Sequence, residues 1–168
     1  MSVRALQILS ALEDASPIVA AEAAIEPAAG LLLDWPQWLA LRAHWPEGLP
    51  VGVAFPNDLP VDALVPELPR LAVVGLRFPK WTDGRAYSQA RLLRTRHRFG
   101  GELRAIGDVI PDMAAQLHRT GFDAAVLRTG ESVEVAHRML GLIPVFYQAD
   151  AHQGLAHYAR LAPPVLPT

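Results

Sequence analysis

The residues best suited to chemistry lie close together, in Phe78-Pro79-Lys80-Trp81-Thr82-Asp83-Gly84-Arg85-Ala86-Tyr87-Ser88 and in Gly107-Asp108. Thr82 or Asp83 can cap a helix that opens at Arg85, and Gly84 lets the backbone turn tightly before it. Such an end presents free amide hydrogens at the positive pole of the helix, which attracts anions. Arg85 would add a guanidinium fork to those amides. Asp83, Arg85 and Asp108 are therefore the candidate catalytic groups, with Lys80, Thr82, Gly84, Tyr87 and Ser88 as ligand contacts. Asp108 closes a strand and is the better placed carboxylate for a general base or a polar ligand. Each has an ordinary alternative. Asp83 can be a plain N-cap with Arg85 as its salt-bridge partner, and Asp108 can cap the following helix. Arg85 fits that alternative less well, because a cation in the first turn opposes the helix dipole.

Further along the same helix, Tyr87, Arg91, Arg94 and Arg98 fall on one stripe beside an apolar stripe of Ala86, Ala90, Leu93 and His97. The apolar stripe should pack on a sheet. The arginine stripe is then either a solvated face or a docking surface for an acidic partner. Glu102 and Arg104 alternate with Leu103 and Ala105, so they share one face of their strand and should form internal salt bridges, with Arg91 or Arg94 as candidate partners.

These side chains need a scaffold that gathers loops. From Val51 onward, short apolar runs alternate with amphipathic ones. The pattern predicts strands over 51–55, 71–77, 102–106, 124–127 and 144–147, and helices over 61–68, 85–98, 112–119 and 132–140. Gly121 and Gly141 stand where helix C-terminal caps belong. A helix also starts at Asp34, with Pro36 in its first turn and Trp38, Leu41, Arg42 and Trp45 at helical spacing, until Pro46 and Gly48 stop it. Residues 3–9 and 17–23 read as edge strands, with helix as the alternative. The fold predicted is α/β, with consecutive βαβ units around a mainly parallel sheet of about five strands, either open or a partial (β/α) barrel. Ligands bind beyond the C-terminal ends of such strands. The loops after residues 77, 106 and 147 should therefore share one rim, which adds Gln148 to the ligand contacts.

The 168 residues are the size of one domain, with 51% apolar and 19% charged residues to build and cover a core. The reading is a single domain over 1–168: a peripheral segment at 1–30, an α/β core at 31–150 and an extended proline-rich tail at 151–168. The net charge of −2 hides a polarity, since residues 1–69 carry two arginines and nine carboxylates while Arg77 to Arg104 carry eight cations and two carboxylates. Fourteen of the fifteen cations are arginine, which suits forked recognition of oxyanions. The chain has no cysteine, which removes disulfides, iron–sulfur ligation and thiol redox chemistry from its own repertoire. Any redox role would be borrowed from a partner or a bound cofactor. The six histidines show no i, i+4 zinc pair, and there is no Walker loop, dinucleotide fingerprint or nucleophile elbow, so no cofactor is indicated. A pI near 6.3 argues against nucleic acid as a partner. With no leader-like N-terminus and no apolar run long enough to span a bilayer, the expected location is cytoplasmic, without membrane contact.

Three segments carry a family resemblance: Phe78-Pro79-Lys80-Trp81-Thr82-Asp83-Gly84-Arg85-Ala86-Tyr87-Ser88-Gln89-Ala90-Arg91-Leu92-Leu93-Arg94, Gly101-Glu102-Leu103-Arg104-Ala105-Ile106-Gly107-Asp108-Val109, and Gly121-Phe122-Asp123. Together with Trp38 and the closing Tyr147-Gln148, they span Leu31 to Gln148. The chain resembles the bacterial domain-of-unknown-function family found beside assimilatory sulfite reductase genes and labelled as oxidoreductases of sulfite reduction. That resemblance implies a role in sulfur assimilation. A cysteine often precedes Gly-Phe-Asp in the family, and Thr120 stands there in this chain, so a thiol is not required at that place. Two functions follow as expectations. One is an accessory protein that binds a small oxyanion or phosphorylated ligand at the rim; the other is a non-catalytic partner that docks on sulfite reductase through the arginine stripe.

Overall fold

The computed structural model describes residues 5–11, 14, 18–19, 25–142 and 150–151. Its strands are β1 (Gln7–Leu9), β2 (Leu32–Asp34), β3 (Val51–Phe55), β4 (Leu71–Phe78), β5 (Glu102–Gly107) and β6 (Ala124–Val126). They form one open sheet in the order β1-β6-β5-β4-β3-β2, with every pairing parallel. The helices are α1 (Trp35–Leu41), α2 (Arg85–Thr95), α3 (Ala114–Thr120) and α4 (Val133–Gly141). From β2 to β6 each step moves one place in the same direction, so right-handed connections bring the intervening helices to one face.

Strand parity divides the apolar residues accordingly. Val53 and Phe55 of β3, Val74, Leu76 and Phe78 of β4, and Leu103 and Ala105 of β5 face the helices and build the main core. Ala86, Ala90 and Leu93 of α2 pack into it, as their spacing predicts. The opposite face carries a smaller cluster of Leu32, Ala54 and Ile106. Here two glycines are needed for space. A Cβ on Gly52 would lie 2.8 Å from Leu32 Cδ1, and one on Gly75 would lie 2.9 Å from Ile106 Cδ1 and 3.5 Å from Leu32 Cδ2. Leu32 on β2 thus reaches over β3 to β4.

The expected parallel α/β fold is present, and several local boundaries differ from expectation for identifiable reasons. β2 was absent from the sequence pattern because its three residues run directly into Trp35, whose helical spacing hides the strand. The predicted helix over 61–68 is instead two 3-10 turns, Val61–Ala63 and Val65–Arg70, because Pro66 and Pro69 remove the amide donors a helix needs. α1 ends at Leu41 rather than Trp45. The Trp45 ring still belongs to this unit, meeting Trp38 edge-on at 6.1 Å while its Nε1 donates to Leu49 O at 3.2 Å. α2 ends at Thr95, and the chain leaves it through Arg98 at φ +51°. Gly121 caps α3 at φ +98°, whereas Gly141 is the last residue of α4 and not its cap. Of the two N-terminal strand predictions, the first corresponds to β1. The second is reduced to one parallel bridge, Ile18 with Leu32, among the described residues. The strand over 144–147 and the tail lie outside the described residues. No helix among the described residues is long and apolar enough to cross a membrane.

Candidate functional site

β4 ends at Phe78, and the chain turns over Lys80 to Asp83, with the Asp83 N–H donating to Lys80 O at 2.9 Å. Gly84 is the backbone N-cap of α2, at an ordinary φ of −84°. The capping carboxylate comes from one residue earlier. Asp83 Oδ1 accepts the Arg85 N–H at 3.2 Å and Arg85 Nε at 3.1 Å, while Oδ2 accepts Arg85 Nη2 at 2.7 Å. The Arg85 guanidinium and backbone amide together hold the Asp83 carboxyl far below the usual carboxylate range, and the same pairing raises Arg85.

A single glycine brings the β5 loop to this turn. Gly107 adopts φ +97°, and a Cβ there would sit 2.5 Å from Phe78 O. The backbone can therefore fold over β4, where the Asp108 N–H donates to Phe78 O at 2.8 Å. Asp108 then bridges three strand ends. Its Oδ2 accepts the Trp81 N–H at 2.9 Å, and its Oδ1 accepts Arg128 Nη1 at 2.9 Å. Arg128 follows β6 and is braced by Glu131, with Nε to Oε1 at 2.8 Å. The Trp81 amide first, and Arg128 second, hold the Asp108 carboxyl below its ordinary value. With both oxygens engaged and its basicity lowered, Asp108 is arranged as a brace rather than as a proton acceptor at neutral pH.

Two further residues complete this rim, and neither was singled out from the sequence. In the loop after β3, Asn57 is only 6% exposed, and its Nδ2 has no hydrogen-bond partner among the described residues. The Asn57 amide lies beside Asp83 and adds a smaller downward pull on that carboxyl. The loop is held in place by Gln89 of α2, whose Nε2 donates to both Pro56 O and Leu59 O at 3.0 Å. On the opposite face, Arg77 Nη2 reaches over β3 to Asp34 Oδ1 at 2.6 Å. The rule that loops after parallel strands gather at one end, applied to the strands over 51–55 and 124–127 as well, would have selected Asn57 and Arg128.

The remaining predicted residues separate into distinct groups. Lys80, Thr82 and Ser88 are exposed around the turn and the start of α2. Tyr87 is half-buried, edge-on to Phe78 at 5.0 Å and to Phe122 at 6.4 Å, and burial raises its phenol to about 12. Its ring belongs to the core. Gln148 lies outside the described residues. Arg94 leaves the arginine stripe: its Nε donates to Gly121 O at 2.9 Å, its Nη1 to Gly101 O at 2.8 Å and to Phe99 O, and its Nη2 to Asp123. It ties α2 to the start of β5 and the approach to β6. Arg91 and Arg98 remain exposed, joined by Arg96. Glu102 and Arg104 do pair, Nε to Oε1 at 2.6 Å, and the second partner of Arg104 is Asp14 at 2.7 Å rather than an arginine neighbour of α2. Leu103 and Ala105 face the helices, so strand parity turns Glu102 and Arg104 away from α2 and its arginines.

A family model described as Bacterial protein of unknown function (DUF934) matches residues 52–158, beginning after α1 and taking in the whole rim from Asn57 to Glu131. No curated protein matches the chain.

Proposed function

The chain belongs to that bacterial family of unknown function, and from this premise we propose an accessory protein of assimilatory sulfite or sulfate reduction. It binds a small oxyanion or phosphorylated ligand at the rim around Asp83 and Arg85. The observation that carries the reading is Asn57, a buried amide whose Nδ2 makes no well-formed hydrogen bond among the described residues and faces the Asp83 carboxylate just before α2. A buried donor left unpaired costs roughly 1–3 kcal/mol, which a bound acceptor recovers.

Other donors surround the same place. Arg85 uses Nε and Nη2 on Asp83, leaving Nη1 for a further acceptor. Lys80 makes no ion pair among the described residues. In the first turn of α2 the Arg85 N–H is taken by Asp83 at 3.2 Å and the Tyr87 N–H by Gly84 O at 3.1 Å, so the helix start contributes through its positive pole more than through free amides. Asp83 is already engaged by Arg85, so an incoming oxyanion is held mainly by Asn57, Lys80 and Nη1 of Arg85. The sulfur context rests on the family resemblance, and it makes sulfite, sulfate and adenylyl sulfate the anions to try. The chain has no cysteine thiol to serve the oxidoreductase label, so electrons would come from a partner or a bound cofactor.

The experiment is thermal melting with each anion. A ligand at a hundred times its Kd adds about 2.7 kcal/mol of stability. Wild type should be stabilised, and Arg85→Ala and Asn57→Ala much less so. Equal responses of wild type and Arg85→Ala would remove the proposal.

Docking on sulfite reductase is the second reading, and one observation favours it. The solvent face of α2 and its exit carries Arg91, Arg96 and Arg98 without a carboxylate partner among the described residues, around a Leu92 that is 41% exposed. Co-purification that survives Arg85→Ala but is lost when Arg91, Arg96 and Arg98 are reversed to glutamate would support docking over ligand binding.

A further inference from the structure

We propose that Trp81 is a stacking platform for the planar ring of the ligand, so that the rim takes a nucleoside phosphate in preference to a bare oxyanion. This rests on the anion reading above. Three of the four tryptophans are buried, with Trp35 at 8%, Trp38 at 0% and Trp45 at 4% exposure, while Trp81 is 53% exposed. A large ring in water is a cost that folding removed at the other three positions.

The exposure does not come from a loose loop. The Trp81 N–H is fixed to Asp108 Oδ2 at 2.9 Å, Asp108 is fixed to Arg128 at 2.9 Å, and the turn itself is closed by Asp83 N–H to Lys80 O at 2.9 Å. The ends of β4, β5 and β6 thus cooperate to fix the backbone that carries this exposed ring. An anchored backbone lowers the freedom lost when the ring stacks, and base–aromatic stacking contributes without regard to which base is present.

Chemistry on either side of Trp81 favours a phosphate-bearing ring. Lys80 precedes it, and the Asp83–Arg85 fork with the start of α2 follows within four residues. A ring on Trp81 therefore has donors for its phosphate at the other end of the same turn. Two alternatives fit less well. A nucleic acid strand needs a track of unpaired cations for successive phosphates, and on this rim Arg85 and Arg128 are already engaged by Asp83, Asp108 and Glu131. A protein interface needs an apolar centre. The other large apolar side chains exposed among the described residues, Ile18, Leu39, Leu92 and Leu142, stand on other elements.

The test uses adenosine 5′-phosphate, adenosine and inorganic phosphate on the full chain, read by tryptophan emission and by melting. Adenosine 5′-phosphate should quench Trp81 and bind roughly tenfold or more tightly than inorganic phosphate. Trp81→Ala should remove most of that advantage and reduce phosphate binding far less. Trp81→Phe should keep most of the affinity and lose the quenching, since the remaining tryptophans are buried. If adenosine 5′-phosphate binds no better than phosphate, or as well to Trp81→Ala as to wild type, the stacking role is overturned while the anion site stands. If no phosphate compound binds at all, both fail together.

Discussion

The Asp108 carboxylate holds the backbone of Trp81, accepting its N–H at 2.9 Å, although the two residues are 27 apart in sequence. This contact, with Arg128 on the other oxygen, turns three separate loops into one rim. Asp108→Ala should free the turn from Lys80 to Asp83. The expected result is increased mobility of Trp81, read as lower emission anisotropy, with a smaller loss of melting temperature than any change at Arg94. Unchanged anisotropy would show that the turn holds itself.

Arg94 is the strongest structural prediction. Its side chain and that of Asp123 are 14% and 13% exposed, and it also satisfies three backbone carbonyls. Breaking a buried ion pair from one side costs about 3–5 kcal/mol, because the other charge is left uncompensated. Arg94→Ala should lose stability of that order in chemical denaturation. Arg94→Lys should recover little, since an ammonium cannot reproduce the planar fork. A loss under about 1 kcal/mol would contradict the burial of this pair.

The two rim glycines should behave in opposite ways. Gly107 is at φ +97° with Phe78 O in the place of a Cβ, so Gly107→Ala should destabilise by on the order of 1–3 kcal/mol and disturb the Asp108 brace. Gly84 is at φ −84°, with Tyr87 Cδ2 at an ordinary 3.8 Å from a Cβ. Gly84→Ala should be neutral or stabilising by about 0.4–1 kcal/mol, through the unfolded chain. Comparable losses from both substitutions would refute the distinction.

Stability should fall at both ends of the pH scale, for opposite reasons. Asp83 and Asp108 are depressed below 3.8 in the folded chain, so their contribution is present above that value and is lost as pH falls toward the folded values. Tyr87 is raised from 10.0 to about 12, so its contribution is present below 10 and is lost as pH rises toward 12. Melting against pH should show a shallower acid limb in Asp108→Asn and a shallower alkaline limb in Tyr87→Phe. Superimposable limbs in wild type and variant would count against the corresponding contact.

Much of the architecture was legible from periodicity alone. The alternation from Val51 onward specified parallel βαβ units, and the spacing of Ala86, Ala90 and Leu93 named the buried face of α2. Such local patterns survive because burial is decided along one element at a time. Where proline chemistry competes with periodicity, as at Pro66 and Pro69, the helical reading failed by a local rule that was available in the sequence.

The sequence by itself determined the fold class, the charge asymmetry and the cluster of polar residues between Lys80 and Asp108. Only the tertiary structure decided what that cluster is. Arg85 was read as a fork for a ligand or as the salt-bridge partner of Asp83, and the pair with Asp83 is formed. Arg94 was read as part of a stripe for docking or as a structural partner, and it is an internal tie, because the carbonyls of Phe99, Gly101 and Gly121 converge on it. Asp108 was read as a general base, a polar ligand contact or a helix cap, and its carboxylate holds the Trp81 N–H and Arg128. Asn57 was not noticed and supplies the unpaired donor. The reason is common to all four. Helical and strand spacing says which way a side chain leaves its own element, whereas its partners come from loops that only packing of the sheet brings within hydrogen-bond reach.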